Sequence, residues 1–314
     1  MPRWDINDSA RRRESEPEPQ REDRPSASSQ SSRAVGRGPS DDLSPTTPTR
    51  SERQRETPES SRLGRRATHR DRDRTYFLRS SEINSMSDIG RFRTIDTQDL
   101  RRFAYGGDET RMKRDMESLR EQGLIEEKTL FRAHKEPRRV VTLTEQGHRI
   151  VRKASGLPKD QRIYHGFVKA REINHDADLY KIYQEAVGEV RDKGGKPLKV
   201  RLDFELKAAV QREKQAIESL PDAEKRERLA SFAREQGVAI SGTTIHVPDI
   251  QMEYETRDDE LERANLELVS ENYRSEGIRD KAASGFTIYA RGGDAARVRR
   301  ALQDTHAVER ILSI

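Results

Sequence analysis

DTQDLRRFAYGGDETRMKRDMESLREQG, residues 96–123, is the stretch on which the reading of this chain turns. Asp96 is a good helix N-cap, because its carboxylate can accept a free first-turn N–H, and Asp99 places a favourable charge in that turn. The helix it opens, Thr97 to Tyr105, stops at Gly106 and Gly107, where two residues without a Cβ allow a tight turn. Asp108 caps another helix, in which Met112, Met116 and Leu119 fall at i, i+4 and i+7 and form one apolar stripe. Arg111, Lys113 and Arg114 lie off that stripe, and Gly123 closes the helix.

Upstream, Ser81 to Asp88 is expected to be helical, with Gly90 ending the helix and Phe92 to Ile95 forming a short strand. Downstream, strands are expected at Leu124 to Thr129 and Val140 to Leu143, with Arg132 to Arg138 between them. Thr144 then caps a helix from Glu145 to Lys153. Helix, strand, helix, glycine turn, helix, hairpin, helix is the order of a winged helix-turn-helix, placed at residues 75–154. The third helix of that fold enters the major groove of DNA. Double-stranded DNA is therefore the expected partner. The candidate contacts are Thr110, Arg111, Lys113 and Arg114 on the helix, and His134, Lys135, Arg138 and Arg139 on the wing. Arginine can grip guanine with two hydrogen bonds, whereas lysine and threonine more often hold phosphates. The same helix carries Asp108, Glu109, Asp115, Glu117 and Glu121, so docking of a protein is the alternative use.

Of the 314 residues, 31% are hydrophobic, 5% aromatic and 37% charged, which leaves too little apolar surface for the whole chain to be packed core. Residues 1–74 are rich in Ser, Pro, Glu and Arg, and are expected to form a disordered tail. Its arginines either add phosphate contacts or merely keep a leader solvated. Trp4 is a lone aromatic that invites a partner. Counting Lys and Arg against Asp and Glu gives about +3 for residues 1–72, about +4 for 73–153 and about −2 for the remainder, within a net charge of +5. There is no cysteine, which excludes disulfides, thiolate catalysis and cysteine-based zinc sites. No apolar run approaches the roughly 20 residues that cross a bilayer, and the N-terminus has no signal-peptide core. The expectation is a cytoplasmic, bacterial protein without membrane contact.

Ser155-Gly-Leu-Pro-Lys-Asp160 reads as a linker, and a second, α/β domain is expected over residues 160–314. Leu179, Ile182, Tyr183, Ala186, Val187 and Val190 recur at helical spacing, and Leu198 to Phe204 alternates as a strand. Further strands are expected at Thr243 to Glu255, Ala264 to Val269, Phe286 to Ala290 and near Val308 to Leu312, with helices at Gly277 to Ala283 and Asp294 to Gln303.

The chemical candidate in this domain is Asp249. A metal-dependent phosphodiesterase needs two carboxylates on one divalent ion and an amine near the attacking water. Along one strand Glu253 lies roughly 13 Å and Glu255 roughly 20 Å from Asp249, too far to share an ion. If Asp258 is the tip of a hairpin, residues whose numbers sum to 516 face each other, and Glu267 becomes the cross-strand partner of Asp249. A PD-(D/E)xK nuclease also wants a lysine two residues after the glutamate, where this chain has Val269. Arg263 sits off the mark, and Lys281 on the next helix is the candidate amine. Without one, turnover should fall severely. The other reading makes Asp249 and Glu267 ordinary solvent-side acids of a half-buried hairpin. His175-Asp176 reads either as a helix cap or as a pair aimed at these carboxylates, and Tyr273 either lines the cleft or packs the helix on the sheet.

Ile89-Gly-Arg-Phe-Arg93 and Tyr105-Gly-Gly107, joined to His175-Asp176, Pro248-Asp249, Leu266-Glu-Leu268, Lys281 and Phe286-Thr-Ile-Tyr289, resemble the replication-relaxation family over residues 75–314. That family occurs on bacterial plasmids and mobile elements and pairs a winged helix with a restriction-endonuclease-like domain. The resemblance implies a degenerate, inactive PD-(D/E)xK-like domain and DNA binding in plasmid replication or conjugative transfer, with replication or transfer proteins or a second copy of the chain as further partners. Where the family more often has an acid two residues after the Leu-Glu glutamate, this chain has Val269. No cofactor is expected unless the chain is a nuclease, in which case Asp249 and Glu267 would hold Mg²⁺ or Mn²⁺ and Lys281 would stabilise charge. A transcriptional regulator is the third reading. The histidines, His69, His134, His148, His165, His175, His246 and His306, include no close pair along the chain, and Lys193-Gly-Gly-Lys196 lacks the spacing of a phosphate loop. A relaxase and an ATPase are thereby disfavoured.

Overall fold

The computed structural model describes residues 64–132, 135–269, 273–302 and 312–313. Trp4 and most of the expected tail lie outside them. The tail was expected to reach residue 74, but β1 (Ala67–Asp71) already pairs antiparallel with β2 (Arg74–Leu78). Tyr76 and Leu78 bury their side chains, and Asp71 is held by Arg149 Nε at 2.7 Å and by Lys153, so this hairpin is tied to the body at both strands.

Helix α1 (Ser80–Phe92) passes straight through Gly90, which does not end it as expected. A Cβ there would come within 2.6 Å of Ile163, so this glycine serves close packing rather than chain reversal. β3 (Ile95–Asp96), α2 (Thr97–Ala104) and α3 (Glu109–Glu121) follow. Asp96 accepts the Gln98 N–H and Asp108 that of Arg111, and Gly106 and Gly107 turn the chain at φ of 59° and 90°. β4 (Ile125–Arg132) and β5 (Lys135–Leu143) are longer than expected, and with β3 they form a sheet of order β3-β5-β4. α4 (Glu145–Ala154) is capped by Thr144.

The 23-residue α5 (Ala170–Asp192) leads to β6 (Lys196–Leu202), α6 (Asp203–Ala216), α7 (Asp222–Gln236) and the small pair β7 (Ile240–Ser241) and β8 (Thr244–Ile245). Then come β9 (Ile250–Glu255), β10 (Leu261–Val269), α8 (Ser275–Ala283), β11 (Thr287–Ala290), α9 (Ala295–Leu302) and β12 (Leu312–Ser313). The five-stranded sheet has the order β12-β11-β10-β9-β6. Its β6, β9 and β10 run antiparallel, whereas β11 lies parallel to β10 and therefore needs the α8 crossover. The single strand expected over 243–255 is divided into β8 and β9 around Pro248.

The architecture is mixed α+β. The apolar core does not stop at the linker expected around 155–160, because one buried cluster runs from Tyr76 to Tyr289. Tyr180 and Tyr183 of α5 pack on Phe92 of α1, with ring centroids 5.4 and 5.0 Å away. A second cluster joins Val269, Ile278, Phe286 and Val298 beneath α8 and α9. Among the described residues no helix is long and apolar enough to cross a membrane.

Candidate nucleic-acid interface and carboxylate site

Between α3 and the β4–β5 hairpin runs a groove of 280 Å³ lined by Thr97, Arg101, Glu109, Lys113, Thr129 and Arg139. Thr110, Arg111, Lys113 and Arg139 are exposed. Arg111 lies over the Tyr105 ring at 5.8 Å. Glu109 sits between two cations, 2.6 Å from Lys113 and 3.2 Å from Arg101, and Lys113 first among them holds its carboxyl below the usual carboxylate range.

Two of the expected contacts are committed elsewhere. Arg114 turns toward the buried Asp115, 3.5 Å away, because Asp115 belongs to a polar core with Ser81 (2.6 Å) and Tyr105 (3.4 Å). Arg138 is 7% exposed. Its guanidinium bonds Asp96 at 2.5 Å, Asp178 at 2.8 Å and the Asn174 carbonyl at 3.2 Å, tying the sheet of the first half to α5. Burial and three acids, Asp99 at 3.9 Å being the third, leave it unavailable to a ligand. His134 lies outside the described residues, and Lys135 pairs with Arg132 to close the hairpin.

The carboxylate site assembles from the register of β9 and β10. Their pairs run from Leu261↔Glu255 to Leu266↔Ile250, so facing residue numbers sum to 516 as expected. One step beyond, the Asp249 N–H donates to Glu267 Oε2 at 3.2 Å and the Leu268 N–H donates to Asp249 Oδ2 at 2.8 Å. Lys281 on α8 donates to Glu267 Oε2 at 3.1 Å and to the Val247 carbonyl at 2.5 Å. The Tyr273 hydroxyl donates to Glu267 Oε1. Glu267 is 1% exposed and the Asp249 side chain 13%, so the reading of both acids as solvent-side is corrected. Burial, then the neighbouring Asp249, pushes its carboxyl up to about 7 against the pull of Lys281 and Tyr273.

His175 does not cap its helix, which begins at Ala170; its Nε2 lies 3.6 Å from Asp249 Oδ1. Burial lowers its proton affinity, but Asp249 first, then Asp176 and Asp203, together outweigh burial and the ring ends above its ordinary value. Asp176, 3.8 Å from Arg93, is pushed up to about 6 by burial. Arg263 lies on the same face of β10 but four residues along from Glu267, and pairs with Glu253 at 3.1 Å instead. Sequence reasoning missed Asp203, whose N–H donates to the Asp249 carbonyl at 3.0 Å, and Lys207, which pairs with Asp203. The Leu202↔Ile250 pairing puts them there, and no hairpin signal announces it. The fold also brings His148 beside His165, ring centroids 5.1 Å apart, a pair invisible along the chain.

Chemically, this constellation is closed. Both oxygens of Glu267 and the amine of Lys281 are bonded within the protein, and only Asp249 Oδ1 faces a weaker neighbour, His175. A magnesium or calcium-like ion wants about six oxygen ligands. Among the described residues no group of three or more His, Asp or Glu side chains is disposed to hold one. As arranged, the residues do not fit a resident metal.

No family model and no curated protein matches the chain. Among solved structures, the PadR of Bacillus subtilis in complex with operator DNA is similar at 17% identity, covering 49% of this chain and 92% of that one, with a TM-score of 0.19. A superposition of that quality does not define a shared fold.

Proposed function

We propose that this chain is a DNA-binding protein of a plasmid or other mobile element, in which α1 to α4 and β3 to β5 act as a winged helix-turn-helix on duplex DNA. The observation that carries this reading is the groove between α3 and the hairpin, where Arg101, Lys113 and Arg139 converge from three elements. Cations gathered along a groove are what a phosphate backbone recognises. Service in replication or conjugative transfer rests on the resemblance to the replication-relaxation family.

The test is fluorescence anisotropy of the full chain on labelled duplex DNA across a salt series. An Arg111→Ala, Lys113→Ala, Arg139→Ala triple variant should bind more weakly, and its log K against log salt slope should flatten by about 0.9 for each phosphate no longer neutralised. Full salt-sensitive binding by the triple variant would overturn this choice of surface. Failure of a plasmid carrying that variant to be maintained or transferred tests the process.

A metal-dependent nuclease of the PD-(D/E)xK class is the second reading. It rests on the convergence of Asp249, Glu267 and Lys281 alone, and these side chains would have to leave their present partners to take an ion. Mn²⁺-dependent cutting of supercoiled, linear or branched DNA that disappears in Asp249→Ala would promote it to first.

A further inference from the structure

Phe131 is 84% exposed, more than Phe77 at 52% or Leu261 at 63%, the other large exposed hydrophobics among the described residues. It stands near the end of the β4–β5 hairpin, where the ladder breaks. The pairs Leu130↔Arg138 and Arg132↔Lys135 leave Phe131 facing two residues, Glu136 and Pro137. Proline has no N–H to offer a ladder, and an irregularity of this kind re-aims the side chain beside it. Leu130 next to it packs instead against the cluster of Val140, Ile173 and Ala177. One hairpin residue therefore anchors the wing to the body while its neighbour projects.

The hairpin that carries this ring is rich in cations along its sequence. Apart from Arg138, which is committed to the body, residues 128–139 hold four Lys or Arg, Lys128, Arg132, Lys135 and Arg139, against one acid, Glu136, and Arg139 opens onto the groove described above. Phe77 and Leu261 belong to β2 and β10, so no other large exposed hydrophobic among the described residues shares the hairpin. A protein partner would call for a contiguous apolar patch. A single aromatic among cations fits a polyanion with planar faces: phosphates for the cations, and a base step for the ring.

We infer that Phe131 is an apolar wedge that the wing presses against or between base pairs of the duplex held in the α3 groove. This rests on the DNA-binding reading and adds what that reading lacks, a contact to bases rather than to phosphates. A wedge of this kind unstacks one step and favours DNA that yields there.

The experiment compares the full chain with Phe131→Ala and Phe131→Trp on a short mixed-sequence duplex, labelled with fluorescein for anisotropy and with 2-aminopurine for stacking. The ring is exposed, so the variants should fold, as an unchanged circular-dichroism melt will verify. Phe131→Ala should lose about tenfold in affinity, in line with the loss of one base–aromatic stack, while its salt slope stays as in the parent. The 2-aminopurine signal should rise on binding of the parent and of Phe131→Trp, and stay flat with Phe131→Ala. Salt-sensitive binding by the parent with no effect of Phe131→Ala would overturn the wedge and leave DNA binding standing. Absence of salt-sensitive binding by the parent would overturn both. A change in sedimentation of Phe131→Ala without DNA would assign the ring to contact between copies of the chain and overturn the wedge.

Discussion

The α3 groove and the carboxylate site both gather ionisable side chains from distant parts of the chain, yet they treat charge in opposite ways. In the groove, Lys113 is 64% exposed, and its partner Glu109 can be exchanged for solvent or phosphate with little loss. At the carboxylate site, Glu267 is buried and every oxygen it has is bonded. Charge left in water is available to a ligand, whereas charge taken out of water is already committed to the fold. Adjacent residues of β5 compress the same contrast: Arg138 is engaged by three acids, and Arg139 opens onto the groove.

The largest expected effect separates those two arginines. Arg138→Ala strands Asp96 without its cation and leaves Asp178 to Arg291 alone, and should cost about 3 kcal/mol in urea unfolding. Arg139→Ala should change stability by less than about 0.5 kcal/mol while weakening DNA binding. Equal effects of the two on stability would break the distinction between committed and available charge.

Glu267→Gln comes next. The amide cannot accept from Lys281, Tyr273 and the Asp249 N–H together, and the lysine ammonium loses its counter-charge. A loss of about 2 kcal/mol is expected, again by urea unfolding, with part of it recovered by adding Lys281→Met. Recovery would mark the pair as replaceable structure, and a double variant no better than the single one would show that the polar network itself is required.

The pH dependence is smaller and has a definite sign. Glu267, raised to about 7, and Asp99 and Asp176, each raised to about 6 chiefly by burial, hold protons more tightly folded than unfolded. Their contribution is complete below the ordinary carboxylate range and is lost as pH rises through 6 and 7, at up to about 1.4 kcal/mol per pH unit for each proton released. The melting temperature should therefore fall between pH 5 and pH 8, and Glu267→Gln should flatten the upper part of that fall. A melting temperature that rises over this range would mean these carboxyls are better solvated than their burial implies.

How much of this is legible in the sequence depends on the range of the interaction. Asp96, Asp108 and Thr144 cap their helices as local rules require, and the 516 register follows from one hairpin tip. Gly90 misleads because its reason lies in Ile163, far along the chain. Arg138 misleads for the same cause: a helical or hairpin pattern tells which face a residue occupies, but not that Asp178 waits opposite it. Lys281 can be nominated by chemistry alone, yet its reach to Glu267 needs the α8 crossover. Asp203 gives no signal, since β6 and β9 are brought together by two intervening helices rather than by a turn.

The smallest effect is also the most pointed. Glu109 is the acid that occupies Lys113 and Arg101 at the mouth of the groove, and as an exposed ion pair it adds little to the fold. Glu109→Gln should leave the unfolding midpoint where it is. On duplex DNA it should bind more tightly at low salt, because two cations are released and one repulsive carboxylate is removed from beside the phosphates. The advantage should close as salt rises and screens all three charges. A drop in stability without a gain in binding would place Glu109 with Glu267, as charge already committed to the fold.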